Sequence, residues 1–239
     1  MPALDICFSP DLLPLYDLRG RVAVIVDVLR ASTTIVTALV AGVTHVFPVS
    51  SLAECTALGA QGCLTAAERD GVPAAGFDLG NSPYGFLDPA RPVRGRALAI
   101  STTNGTEALR RSLAAEAVVI GGFVNLTAVA NFAQQQQRDV LVVCAGWKGQ
   151  FCLEDTLFGG ALAARLGPLG FEVQHSDSTL AALNMWQQAQ ADLPGYLLQS
   201  AAVRRLNALE ANDDFLFCAK IDTYANALPL LRNDRLVLA

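Results

Sequence analysis

Six short apolar runs, at residues 4–8, 22–28, 45–49, 97–101, 117–120 and 140–144, limit what this chain can become more than any other feature. Each is of strand length, and runs of that kind fit strands covered on both faces by helices. Helix-length segments separate them, at 33–41, 52–58, 106–113, 126–137 and 153–166. This alternation predicts an α/β fold: three α/β/α layers around a mixed, largely parallel sheet. Gly42, Gly59 and Gly167 stand where helix ends favour a left-handed residue.

After residue 176 the texture changes to a long stretch rich in Ala, Leu and Gln, through Met185 and Trp186 and, beyond Pro194-Gly195, residues 196–209. The C-terminal part is therefore expected to be more helical. Asn212-Asp213-Asp214 reads as its break, and residues 235–238 read as a closing strand. With no Ser- or Gly-rich linker between the parts, residues 1–239 are read as one domain, in which about 176–211 has room to form a helical subdomain. Residues 181–209 would cover either the sheet or a second copy of the chain, which leaves a homo-oligomer open.

A chain of 239 residues, 52% apolar and 16% charged, can bury one sizeable core. Its apolar stretch 31–44, bracketed by Arg30 and His45, is too short to span a bilayer. No basic residue precedes Arg19, so the pattern of a secretory signal is missing and the cytoplasm is the expected compartment. A net charge of -5 without any basic run disfavours nucleic acid and anionic membranes as partners. An anionic ligand would need a local patch of cations. The cysteines at 7, 55, 63, 144, 152 and 218 contain no C-x-x-C and read as reduced thiols, mostly core, with Cys152 nearest a polar loop.

Four polar segments follow the apolar runs or lie between them. In the first, Asp27 ends a strand, Arg30 follows, and Ser32, Thr33 and Thr34 open a helix whose free N–H groups favour an anion. The same residues also suit plain capping, with Arg30 paired to a surface carboxylate. The second, 64–83, is an unusually polar loop carrying Glu68, Arg69, Asp70, Asp78, Asn81 and Ser82. A loop of that length is functional, disordered or a plain surface connection. In the third, Ser101-Thr102-Thr103-Asn104-Gly105-Thr106, Gly105 admits close backbone approach and neighbouring N–H groups offer an oxyanion cradle. The fourth passes from Cys144 through Gly146, Lys148 and Gly149 to Glu154-Asp155 at a helix start. Adjacent acids on a helix face different ways, so one of the two is expected to point into a shared cleft.

Together these segments bring carboxylates (Asp27, Glu68, Asp78, Glu154, Asp155) and cations (Arg30, Arg69, Lys148) to strand ends, where α/β sheets bind ligands. Oxygen donors in a chain with only His45 and His175 point to Mg²⁺ rather than zinc. No G-x-x-x-x-G-K-[ST] occurs, which removes a P-loop reading, and the absence of G-x-G-x-x-G after a strand and of G-x-S-x-G weakens dinucleotide and serine hydrolase readings. Leu29 stands where a haloacid dehalogenase phosphatase needs a second Asp, and Gln150 where a cysteine phosphatase built on Cys144 needs Arg.

In order and over most of the chain, these motifs resemble the 2-phosphosulfolactate phosphatase family, a Mg²⁺-dependent group associated with coenzyme M biosynthesis. The carrying segments are Val26-Asp27-Val28-Leu29-Arg30-Ala31-Ser32-Thr33-Thr34, Glu68-Arg69-Asp70-Gly71, Gly76-Phe77-Asp78-Leu79-Gly80-Asn81-Ser82-Pro83, Thr102-Thr103-Asn104-Gly105-Thr106, and Cys144-Ala145-Gly146 through Leu153-Glu154-Asp155-Thr156. Ser32 and Ser101 replace an expected threonine and Cys152 an expected serine. The resemblance implies hydrolysis of (2R)-2-phospho-3-sulfolactate to 3-sulfolactate and phosphate. Asp27 with Glu154 or Asp155 would hold Mg²⁺, while Arg30, Arg69 and Lys148 would balance the substrate's several negative charges. The turn Thr103, Asn104, Gly105, Thr106 would hold phosphate, and Ser32, Thr33, Glu68, Asn81, Ser82 and Gly146 complete the expected substrate contacts. Asp27 is read as a metal ligand first and a nucleophile second. Two alternatives are a phosphatase of another small phosphorylated hydroxy acid and a phosphometabolite-binding protein without turnover.

Overall fold

The computed structural model describes residues 1–209 and 212–239. In chain order its elements run β1 (Leu4–Cys7), β2 (Val22–Val26), α1 (Ala31–Val40), β3 (Val46–Pro48), α2 (Leu52–Ala60), β4 (Leu64–Arg69), β5 (Val72–Pro73), β6 (Leu98–Ser101), α3 (Gly105–Arg111), β7 (Ala117–Gly121), α4 (Leu126–Gln136), β8 (Val140–Cys144) and α5 (Leu153–Leu166). Beyond them come α6 (Asp177–Ala189), α7 (Leu193–Leu197), α8 (Ala201–Ala208), α9 (Asn212–Cys218) and a hairpin of β9 (Pro229–Arg232) and β10 (Arg235–Leu238).

All described strands join one mixed sheet in the order β1-β8-β2-β7-β9-β10-β3-β6-β4-β5. It has two parallel blocks. Val22–Val26 of β2 is buried without a gap because β8 and β7 pair with it on either side and helices cover both its faces. The second block is β3, β6 and β4, also parallel, with the short β5 turned back along β4. The hairpin joins the blocks by antiparallel contacts of one residue pair each, Val119 with Leu230 and Leu236 with Val46.

Two large clusters form most of the core, with a small third of Val36, Val124, Phe217 and Ala227. Leu4, Ile6, Val22, Val24, Val140 and Val142 pack with Val129, Phe158, Leu162 and Trp186, which places α4, α5 and α6 on one face of the first block. The alternate residues Ala23, Ile25, Leu141 and Val143 pack with Ile35, Ala38 and Leu109 of α1 and α3. This is the three-layer α/β/α arrangement. Val46, Leu64, Leu98 and Ile100 of the second block enter that same cluster, so α1 and α3 touch inward side chains of both blocks. The carboxyl ends of β2, β4, β6 and β8 carry the four polar segments.

The six expected strands form within two residues of their expected bounds, and 235–238 is a strand as expected. Three features differ. Residues 64–83 are not one long loop: they contain β4 and β5, and Thr65 and Glu68, whose polarity hid the strand, are buried with full hydrogen bonding to Asp78, Thr103 and Gly71. Asn212-Asp213-Asp214 opens α9 instead of ending order, since acids in a first turn favour a helix start. Gly42 is left-handed as expected, but Gly59 and Gly167 keep ordinary helical backbone, and the left-handed positions there are Gly62 and Gly170, three residues further on. The expected helical stretch about 176–211 is α6, α7 and α8 up to residue 209, and positions 210 and 211 lie outside the described residues. No described helix is long and apolar enough to cross a membrane.

Candidate active site

Asp27 follows directly on β2 and is held at both ends of its residue. Its N–H donates to Ser32 Oγ at 2.9 Å, its carbonyl accepts from Ser32 N at 2.8 Å, and its Oδ1 accepts from Ala31 N at 3.4 Å. The side chain thus takes up an N–H at the start of α1, and Ser32 closes the turn. Thr33 and Thr34 are equally inward: their hydroxyls donate to the carbonyls of Val28 and Asn81. These hydroxyls shape the loop and do not line the cleft. Across from Asp27 lies Gly105, where a Cβ would stand 2.9 Å from Asp27 Oδ2, so only glycine lets α3 approach the carboxylate.

Glu154 and Asp155 open α5 and are both buried. They do different work. Asp155 accepts from Val28 N at 2.9 Å and Gly146 N at 3.1 Å, tying the end of β2 to the end of β8. That leaves Glu154 as the acid of the pair whose oxygens are not committed to neighbouring loops. Gly146, at φ +64, sits where a Cβ would meet Gln150 O at 2.3 Å. A tight turn follows, Trp147 to Gln150, with Lys148 and Gly149 both left-handed.

The third and second segments are locked to one another. Glu68, at the end of β4, accepts from Thr103 N at 2.8 Å, Thr103 Oγ1 at 3.0 Å and Gly71 N at 2.6 Å. Arg69 turns away, reaching its neighbour's carbonyl and Ser101. Thr106 N donates to Thr102 Oγ1, and Asn104 Oδ1 accepts from Lys148 N at 3.1 Å. Lys148 Nζ is exposed and paired with Asp70 at 2.8 Å.

Arg30 is buried and reaches Asp214 of α9 with one nitrogen and Gly71 O, at 2.9 Å, with another. Ser82 donates to the other oxygen of Asp214 at 2.6 Å. The carboxylate that pairs with Arg30 is therefore buried and distant in sequence, not a surface neighbour. Asp213-Asp214 carried no role in the sequence reading, and neither did Arg205 of α8. The Arg205 guanidinium carbon lies over Trp147, 4.2 Å from its ring centroid, and Arg205 lines the same cleft as Asp27. Its sequence signal was a basic pair, Arg204-Arg205, in an otherwise Ala- and Leu-rich helix.

The cleft encloses about 450 Å³ of non-atom space, part of it open to solvent. Asp27, Arg30, Glu68, Asn81 and Asn104 among the expected residues face it, together with Asp70, Gly71, Trp147, Arg205 and apolar Leu29, Leu206 and Leu209. Gly105 and Thr106 line a smaller depression on the other side of Asp27, and Ser82 lines a groove beyond Arg30. Thr103 and Lys148 border a third hollow next to Asn104.

Electrostatically the site holds more acid than it neutralises. Burial pushes the Asp27 carboxyl up to about 7, and Glu68 and Glu154 add to the effect, against the pull of the Ala31 and Gly105 N–H groups. Glu154 is raised by burial, although Arg205 draws it down; Asp155 is raised well above the carboxylate range by burial, Glu154 and Asp27. The Cys152 thiol is pushed up by burial and by the same acids, so it stays protonated. Asn81 Oδ1 is buried without a hydrogen-bond partner among the described residues. Hard oxygen donors, crowded negative charge and an orphaned amide oxygen suit a hard divalent cation. Among the described residues no group of three or more His, Cys, Asp or Glu side chains is placed to hold a metal ion.

Comparison with known proteins places these residues in context. The family described as 2-phosphosulpholactate phosphatase matches residues 7–234. A protein of Synechococcus sp. (strain JA-2-3B'a(2-13)) named probable 2-phosphosulfolactate phosphatase is 42% identical over 207 residues, 84% of each chain. One of the same name from Symbiobacterium thermophilum is 37% identical over 229 residues, 94% of this chain and 97% of its own. Another, from Caldanaerobacter subterraneus subsp. tengcongensis, is 33% identical over 221 residues, covering 91% and 90%.

Proposed function

The chain belongs to the 2-phosphosulpholactate phosphatase family, and on that premise we propose that it hydrolyses the phosphate ester of (2R)-2-phospho-3-sulfolactate to 3-sulfolactate and phosphate, with Mg²⁺ as cofactor. The observation that carries this reading is the buried acid cluster at the carboxyl ends of β2 and β8, where Asp27 and Asp155 are each held up in part by Glu154. Such a cluster is costly in the absence of a cation.

Asp27 and Glu154 would hold the ion, since both oxygens of Asp155 already serve the Val28 and Gly146 amides. Magnesium bound there would draw charge from the phosphoryl group. The protein's own residues supply the positioning. Asp155 fixes the β2 and β8 loops relative to each other, and Glu68 fixes the Thr103 turn, so the Asn104 and Gly105 backbone is set beside Asp27 before any substrate arrives. Arg30, held by Asp214 and Gly71, presents its guanidinium to the cleft and orients an oxyanion, while Asn81 Oδ1 is left free for the cation or a water bound to it. Lys148, at the rim with Asp70, adds attraction for an anion on entry. We read the attack as that of water, with Asp27 holding the ion.

Phosphate release should be measured from 2-phospho-3-sulfolactate, 2-phospholactate and 3-phosphoglycerate, with chelator and with added Mg²⁺. The expected result is fastest release from the sulfonated ester, lost in chelator and restored by magnesium. Metal-independent release would remove the cofactor, and faster turnover of either other ester would reassign the substrate. No release from any of them would leave a phosphometabolite-binding protein. Borohydride trapping during turnover tests the attack: reduction of the Asp27 side chain to an alcohol would mean that Asp27 itself attacks phosphorus to form an acyl phosphate.

A further inference from the structure

Two cations among the described residues line the cleft, and they are not equivalent. Arg30 has its charge matched by Asp214. Arg205 has no ion pair and no hydrogen bond to any described residue, yet it is half-buried and held. What holds it is the Trp147 ring, whose centroid is 4.2 Å from the guanidinium carbon, a distance at which the ring face attracts the cation. Trp147 is itself fixed by reciprocal backbone hydrogen bonds with Gln150, both 3.0 Å. Lys148 stands 5.4 Å from the same ring but is exposed and paired with Asp70. A guanidinium held by a ring and by no described hydrogen-bond partner keeps its N–H donors available, and its fork can grip an oxyanion through two parallel hydrogen bonds. Around it are Leu206 and Leu209, apolar surface that suits the carbon skeleton of a small acid.

We propose that Arg205, held over Trp147, is a specificity-determining residue that grips the non-reacting acid group of the substrate, while the Asp27 end of the cleft receives the phosphate. This rests on the phosphatase reading above and extends it to the other half of the substrate. Carboxylate and sulfonate present the same oxyanion chemistry to the fork, so the substrates of the test separate them. A guanidinium with no ion-pair partner among the described residues, on the same cleft as Asp27, also gives the second anion a place that does not compete with the metal for carboxylates.

The test compares the native protein with Arg205→Met and Arg205→Lys on four phosphate esters: 2-phospho-3-sulfolactate, 2-phospholactate without the sulfonate, the phosphate ester of 2-hydroxyethanesulfonate without the carboxylate, and p-nitrophenyl phosphate without either. Arg205→Met is expected to raise KM at least 30-fold for esters carrying the gripped group with a much smaller change in kcat, and to lower kcat/KM for p-nitrophenyl phosphate at least tenfold less. Whichever truncated ester loses the penalty identifies the group, and Lys should recover only part of the loss, having the charge without the fork. Equal losses on all four esters overturn the proposal. Calorimetric titration with 3-sulfolactate needs no turnover and separates the two readings. A 30-fold weaker affinity in Arg205→Met supports the grip even if no ester is hydrolysed, whereas equal affinities, or no binding by the native protein, overturn it whether or not phosphate is released.

Discussion

Asp27 combines two demands that pull against each other, since the position that makes a carboxylate useful at the end of β2 also makes its charge expensive. Its pKa is pushed up to about 7 by burial first and by Glu68 and Glu154 after that, whereas in the unfolded chain it returns to about 4. Between those values the native state keeps a proton that the unfolded state has lost. Stability of the metal-free protein therefore falls as pH rises through this window, by about 1.4 kcal/mol per unit for one proton, and levels off above 7. Asp27→Asn keeps an oxygen for the Ala31 N–H and carries no charge. It should flatten that decline and make the metal-free protein more stable than the native one at pH 8, while phosphate release drops at least a hundredfold. Urea unfolding at pH 5 and pH 8 in chelator checks the first part; a less stable variant at pH 8 would mean that the strain on Asp27 is not electrostatic.

At the level of elements, α9 reaches back to the β2–α1 junction through Arg30 and Asp214, 184 residues apart and each less than a tenth exposed. Asp214→Ala leaves a buried guanidinium with only Gly71 O, which should cost about 3–5 kcal/mol. The double variant Arg30→Met with Asp214→Leu should recover most of that stability but none of the activity, because it loses the oriented guanidinium. Full activity in the double variant would take Arg30 out of the site. This pair also marks where sequence reading stops. Runs such as Val22–Val26 and Val140–Cys144 announce themselves because a strand covered on both faces must be apolar throughout. β4 does not, since Thr65 and Glu68 are polar groups whose burial is acceptable only once Asp78 and Thr103 are in place. For the same reason Asp27, Glu68 and Asn104 could be picked from local pattern, whereas Arg205 and Asp214 belong to the cleft only through the packing of α8 and α9, which no local spacing records.

Across the whole molecule, two parallel blocks share one sheet through a hairpin whose link to each is a single residue pair. Leu236 sits at one of these links, fully buried between Val46 and Leu231. Leu236→Ala should cost about 2–5 kcal/mol. Because α1 and α3 touch both blocks, helix content and phosphate release should vanish together on denaturation. Separate midpoints for the two signals would mean that the blocks are stable without the hairpin. During synthesis the same hairpin sets a schedule. A ribosome delivers β7 and β3 well before residues 229–238, so both blocks wait with raw edges, their backbone N–H and C=O groups open to any extended segment nearby. The interval before the hairpin emerges, rather than the life of the finished protein, is when this chain is most exposed to aggregation.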